Sequence, residues 1–171
     1  MVELLSLHIG RFHKERADYE RTLPPAVLVF MPPPVVAQVL DEREERHQFR
    51  TLTSVVTPML GVGEPVVFPV TKNQENAFGR GITVGRTGNN DVVLDDGTVS
   101  RFHAWFQREP DGGYLLTDAG SKNGSYVAGV RLVPRRATAL ADGTRLRFGQ
   151  VELTFYLASG FTKVLARRPG P

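Results

Sequence analysis

The sequence predicts an all-β sandwich or barrel, preceded by a partly helical N-terminal extension. Two observations predict the β domain. From Val66 onward, short apolar stretches recur at close spacing, with turn residues between them and no helical period. The clearest stretch, Val151 to Leu157, places Val151, Leu153, Phe155 and Leu157 on one face at period two. A third observation sets the first sixty residues apart. Pro24, Pro25, Pro32, Pro33 and Pro34 bracket the apolar run Ala26–Met31, which reads as a short extended piece because proline blocks a helix interior.

The elements follow in chain order. Val36, Val39 and Leu40 recur at helical spacing within Val35–Phe49, which predicts a short amphipathic helix whose charged run from Asp41 to Arg46 is its solvated face. Gly61, Gly63 and Pro65 read as a linker. Val66–Val70 opens the domain, with Pro69 marking an edge strand or bulge. Ile82 and Val84 flank Thr83 in alternation, and Val92–Leu94 and His103–Phe106 are further short strands. Pro110-Asp111-Gly112-Gly113 is a turn. Strands are then expected at Tyr114–Thr117, Ser125–Val127, Arg131–Val133, Arg145–Phe148 and Val151–Leu157, and the end of the chain, Arg167–Pro171, is expected to be loose. The expected organisation is an extension over 1–63, the β domain over 64–157 and a C-terminal tail over 158–171.

Composition narrows the chemistry. The 171 residues include no Cys, which excludes disulfides, thiolate metal sites and a Cys nucleophile. Only four His are present, which argues against a His-rich metal centre, and no cofactor is expected. The longest apolar run is six residues, far short of the roughly 20 that a membrane helix needs. The expectation is a cytoplasmic protein without a membrane partner. Charge is uneven: residues 1–75 carry −2 and residues 76–171 carry +5. That surplus suits an anionic partner. Helix-turn-helix, zinc-finger and RNP patterns are missing and the basic residues are scattered, so nucleic acid is disfavoured.

Catalytic motifs fail on spacing. Gly79, Gly81 and Gly85 fall as GxGxxxG, and Ile82–Val84 reads as a strand where a dinucleotide loop needs a turn into a helix. Ser100 and His103 lack a nucleophile elbow, and three residues of extended chain put them on opposite faces. His103 therefore reads as a buried structural histidine bonded to backbone. The chain is not expected to be an enzyme. What remains is a set of loop residues with one theme. Arg86 follows a strand, Ser100-Arg101 precedes another, and Ser121-Lys122-Asn123-Gly124 is a tight turn. Two guanidiniums, an ammonium and hydroxyls suit a phosphate dianion, and the Asn123 amide suits the backbone of an extended ligand.

These residues in this order resemble the forkhead-associated (FHA) domain. The matching pieces are Val84-Gly85-Arg86, Asn90–Leu94, Val99–Ala104, Asp118–Val127, Leu140–Thr144 and Arg147–Gly149. The resemblance covers about residues 64–157. It implies an antiparallel two-sheet β-sandwich of about eleven strands that recognises phosphothreonine through loops at one end. It further implies that Arg86 and Ser100 contact phosphate, that Asn123 holds the peptide backbone, and that Arg101 and Lys122 assist. Gly85, His103 and Gly124 match positions that shape the binding loops. Departures from the family pattern are Lys122, Ser125 and Ala128, and none removes a phosphate ligand.

The function expected is thus a phosphothreonine-peptide-binding adaptor in Ser/Thr kinase signalling. Its partners would be a phosphothreonine-containing protein or peptide and a Ser/Thr kinase or its substrate. The alternative is phosphate-independent docking as a subunit of a larger assembly. A minor expectation is self-binding, in which Thr22, Thr51, Thr53 or Thr57 of the extension is phosphorylated and enters the chain's own groove or a neighbour's.

Overall fold

The computed structural model describes residues 1–32, 63–74, 76, 78–79 and 81–170. The helix expected over Val35–Phe49, and Thr51, Thr53 and Thr57, lie outside the described residues.

Two sheets face each other. In chain order the elements are β1 (Glu3–Leu4), α1 (Leu5–Lys14), α2 (Arg16–Thr22), β2 (Ala26–Phe30), β3 (Val66–Pro69), β4 (Ile82–Gly85), β5 (Val92–Val93), β6 (Ala104–Arg108), β7 (Tyr114–Asp118), β8 (Ser125–Val127), β9 (Val130–Arg131), β10 (Thr138–Leu140), β11 (Thr144–Phe148), β12 (Val151–Leu157) and α3 (Ala158–Ala166). Among the described residues, one sheet has seven strands in the order β1-β3-β2-β12-β11-β8-β9, and the other has five in the order β10-β7-β6-β4-β5. All pairings are antiparallel except β4 with β5. The period-two face of β12 works as its pattern requires: Val151, Leu153 and Phe155 are buried, and Phe155 stacks on Phe106 of the facing sheet. Phe148, Leu146, Leu116 and Val84 complete that interior.

The described residues of the extension expected over 1–63, and the tail expected over 158–171, pack against the β domain. β2 is a central strand, hydrogen-bonded between β3 and β12 with Leu28 opposite Phe68 on one side and Phe155 on the other. Its two faces enter two cores. Ala26 and Leu28 face the sandwich interior, while Val27 and Val29 lie under α1, α2 and α3 with Leu5, Phe12, Tyr19, Phe161 and Leu165. Burial on both faces explains why Ala26–Phe30 is continuously apolar rather than alternating. The tail is helical through Ala166, because Phe161 and Leu165, one turn apart, cover the outer face of the seven-stranded sheet. Pro69 lies past the short β1, which pairs only Val66 and Val67, so its missing N–H removes no ladder bond there.

In the helical layer, Tyr19 O–H donates to Nδ1 of buried His8 at 2.7 Å. Burial is the main cause that pulls the His8 pKa down to about 4 and pushes that of Tyr19 up.

The turn from β8 to β9 carries a fault that one substitution corrects. Val127 pairs with Val130, so Ala128-Gly129 is a two-residue hairpin loop, with φ of 48° and 83°. Both positions left-handed is the type I′ arrangement, which favours Asn-Gly, and an L-alanine there costs about 1–2 kcal/mol. Ala128→Asn is expected to stabilise the protein by about 0.5–1 kcal/mol and raise Tm by about 1–4 °C. An unchanged Tm would mean the turn is not strained.

Candidate functional site

The loops after β4, before β6 and before β8 meet at one end of the sandwich. They line an open groove of about 530 Å3 that includes Arg86, Ser100, Arg101, Lys122 and Asn123. All five residues expected from the sequence are thus gathered in one place. Arg86, Arg101, Lys122 and Asn123 are exposed, and Ser100 is half-buried. Among the described residues, no carboxylate pairs with Arg86, Arg101 or Lys122. Three unpaired cations around a hydroxyl give an anion a strongly attractive field.

The backbone beneath the groove is tied loop to loop. Arg86 N–H donates to Ser100 O at 3.0 Å. Gly85 allows this close approach, since a Cβ there would sit 2.2 Å from Arg101 O, which is backbone and has no room to yield. Buried Asn90 donates from its amide to Arg101 O at 2.7 Å and to Thr87 O at 2.8 Å, fixing the loop that carries Arg86. On the opposite side, Lys122 N–H donates to Ser100 Oγ at 3.1 Å. That contact uses the oxygen as acceptor and leaves the Ser100 hydroxyl proton for a ligand. Asn123 Nδ2 donates to Thr98 O at 2.7 Å, which fixes the amide and leaves its Oδ1 as an acceptor.

His103 and Gly124 lie below these loops. His103 is 0 % exposed. Its Nδ1 accepts from Ser100 N–H at 3.0 Å, so Nε2 carries the proton and donates to Gly124 O at 3.1 Å. One neutral ring therefore ties the Ser100 loop to the Asn123 loop. Burial lowers its pKa, against smaller upward pulls from the Gly124 carbonyl and Asp118. Gly124 takes φ +83°, a left-handed conformation that L side chains rarely adopt, so the backbone there favours glycine.

Asp118 is not among the expected site residues, yet it organises the third loop. It is 1 % exposed. Oδ1 accepts from Gly120 N–H at 2.8 Å and Ser121 N–H at 2.9 Å, while Oδ2 accepts from Ser121 Oγ at 2.7 Å and Ser125 Oγ at 2.5 Å. Burial works to raise its pKa, but the hydrogen bonds from Ser125, Ser121 and Gly120 outweigh it and hold the carboxyl below its usual range. Ser121 Oγ also accepts from Gly124 N–H at 3.0 Å. An Asp two and three residues before Gly120 and Ser121 is an Asx-turn signal that was available in the sequence.

These histidines and this aspartate fix the pH dependence of stability. His8 and His103 titrate below their unfolded value of 6.5, so their neutral forms stabilise the fold above pH 6.5. As pH falls, the unfolded state binds these protons first. Stability is expected to drop from pH 6.5 toward pH 4, by on the order of 3 kcal/mol from His8 alone. Asp118 contributes above its unfolded value of 3.8, and its share is lost only below that pH. Urea titrations at pH 7.5, 6, 5 and 4 check this; a flat profile between 7.5 and 5 would contradict it.

A second depression of about 300 Å3 lies beside α1, α2 and the sheet, but its polar lining is paired internally, His8 with Tyr19 and Glu3 with Arg11. Among the described residues there is no group of three or more His, Asp or Glu placed to hold a metal, and no helix long and apolar enough to cross a membrane.

A β-sandwich with a basic groove made of three loops, strapped from below by a neutral histidine, defines a loop-end ligand-binding module. The chain belongs to the FHA-domain family. The family model for the FHA domain matches residues 82–149, which span all three loops. The chain is 38 % identical over 126 residues to the oxoglutarate dehydrogenase inhibitor of Corynebacterium diphtheriae, covering 70 % of this chain and 82 % of that one. It is 40 % identical over 73 residues to the glycogen accumulation regulator GarA of Mycolicibacterium smegmatis, covering 43 % and 44 % respectively. Among solved structures it is similar to Mycobacterium tuberculosis EmbR in complex with a low-affinity phosphopeptide, with 32 % identity, a TM-score of 0.44, and coverage of 53 % of this chain and 21 % of that one.

Proposed function

We propose that this protein is a non-catalytic adaptor that binds phosphothreonine peptides in Ser/Thr kinase signalling. The observation that carries the reading is the set of cations Arg86, Arg101 and Lys122, without a carboxylate partner among the described residues, around Ser100 in one groove. Phosphothreonine carries about −1.5 to −2 charge and three acceptor oxygens at neutral pH. Arg86 supplies a forked donor, Ser100 a hydroxyl, and Arg101 and Lys122 neutralise the remaining charge. Asn123 accepts a peptide N–H through Oδ1, which selects an extended chain over free phosphate. Gly85, His103 and Gly124 hold the loops in place. The substrate of a Ser/Thr kinase, or the kinase itself, supplies the phosphothreonine. The match to an inhibitor of oxoglutarate dehydrogenase over most of its length supports a regulatory role exerted by binding rather than chemistry. We assign the protein to the cytoplasm, with the kinase.

The test is binding of a phosphothreonine peptide with increasing salt and after phosphatase treatment. Affinity that falls steeply with salt and vanishes with the phosphate supports the reading. Binding to a partner that ignores both would replace it with constitutive docking.

A further inference from the structure

Beside the groove, the outer face of the five-stranded sheet carries three aromatic rings that the phosphate chemistry does not use. Trp105 projects outward from β6, because its neighbours Ala104 and Phe106 are fully buried on the inner side. Phe102, immediately before inward-facing His103, stacks on it with centroids 6.0 Å apart and planes 11° from parallel. Phe78 completes the set, 4.9 Å from Phe102 and 5.9 Å from Trp105. Phe102 and Phe78 remain 39 % and 42 % exposed. Exposed aromatics grouped in this way mark an interaction site more often than scattered ones do.

The rings are held in place. A Cβ at Gly81 would lie 3.1 Å from both the Phe78 and Trp105 rings, so that glycine makes the notch in which they meet. Phe78 and Gly81 are pinned by Lys72, whose Nζ donates to Phe78 O and Gly81 O at 3.0 Å each and to the buried Asp91 carboxylate at 3.2 Å. Phe78 N–H donates to Asn76 Oδ1, and Asn76 in turn donates to Thr83 Oγ1. A pre-ordered apolar surface loses little entropy on binding.

We infer that this patch receives a large apolar side chain of the same bound peptide, within about three residues of the phosphothreonine. The inference rests on the proposed phosphothreonine reading. Its carrier is continuity: Phe102 lines the groove next to Arg101 and is also the centre of the ring cluster. An extended chain advances about 3.3 Å per residue. A peptide whose phosphate sits among Arg86, Ser100 and Arg101 shares the groove with Phe102, and the Phe78 ring lies only 4.9 Å beyond that of Phe102, a step that one to three extended residues can span.

The test uses synthetic phosphothreonine peptides with alanine flanks and a single Leu or Phe placed in turn at each position from three before to three after the phosphothreonine. Each is paired with its unphosphorylated twin. Trp105 is the chain's only Trp, so its emission reports directly on the patch. An apolar residue on one side of the phosphothreonine is expected to tighten binding about tenfold over the all-alanine peptide. It is also expected to shift Trp105 emission to the blue, and Phe78→Ser should remove most of that gain while the all-alanine peptide binds as before. Phosphate-dependent binding with no apolar preference, no emission shift, or a preference unchanged in Phe78→Ser would overturn the inference and leave the phosphothreonine reading intact. The emission result on the unmutated protein decides the matter even if Phe78→Ser misfolds. Failure of every peptide to bind in a phosphate-dependent way would overturn both.

Discussion

Arg86→Ala is expected to weaken phosphothreonine-peptide binding by about 2–5 kcal/mol, from roughly thirtyfold to several thousandfold. Arg86 is exposed and has no acidic partner among the described residues, so in the free protein its guanidinium stabilises nothing that the substitution removes. Its backbone N–H bond to Ser100 O survives in alanine. Thermal unfolding should therefore be unchanged while affinity collapses. Arg86→Lys is expected to recover only part of the loss, because an ammonium keeps the charge without the planar fork. Calorimetric titration alongside a melting curve checks both halves. Wild-type affinity in Arg86→Ala would remove the residue from the site.

Asp118→Ala is expected to act in the opposite way, on the fold first. The carboxylate is 1 % exposed and accepts four hydrogen bonds, two from backbone and two from serine hydroxyls. Removal leaves Ser125 Oγ, in a fully buried residue, without its acceptor and frees the Gly120–Asn123 loop. Hydrogen bonds to a charged group contribute about 1.5–3 kcal/mol each, and the more exposed donors recover water, so the net cost is about 3–5 kcal/mol. Asp118→Asn retains the shape but turns one acceptor into a donor, and it should recover only part of that cost. Denaturant unfolding measures it. A loss below 1 kcal/mol would show that the loop does not depend on this carboxylate.

The contrast between these two residues shows what was legible in the sequence. Arg86, Ser100, Arg101, Lys122 and Asn123 are loop residues of one chemical type in a recognisable order, and the fold gathers them in one groove. Asp118 sits at a strand end within the same ordered pattern, but its chemistry is internal, and an Asx-turn carries no mark of a ligand. The strands of the β domain were legible because period two survives wherever one face is buried, as in β12. β10 is a strand through its partner alone. Thr138, Ala139 and Leu140 offer too little alternation by themselves, and it is pairing with Leu116, Leu115 and Tyr114 of β7 that makes them one.

The place of β2 was not legible for a different reason. The prolines around Ala26–Met31 announce an extended piece, but its partners lie about 40 and 125 residues further along the chain, and local periodicity says nothing about distant pairing. The helices differ in how far the sequence announces them. α1 carries Leu5, Ile9 and Phe12 at helical spacing, a signal that was present but short and uncapped, whereas α3 follows β12 directly, with Gly160 inside it and no side-chain cap at its start.

The most direct test of the central claim is a calorimetric titration of the full chain with one peptide in three forms: phosphothreonine, phosphoserine and unphosphorylated threonine. Micromolar binding of the phosphothreonine form is expected, with markedly weaker binding of phosphoserine and none of the unphosphorylated peptide. Equal binding of all three forms, or of none across a phosphothreonine library, would contradict the assignment of the Arg86–Ser100–Asn123 groove as a phosphothreonine site.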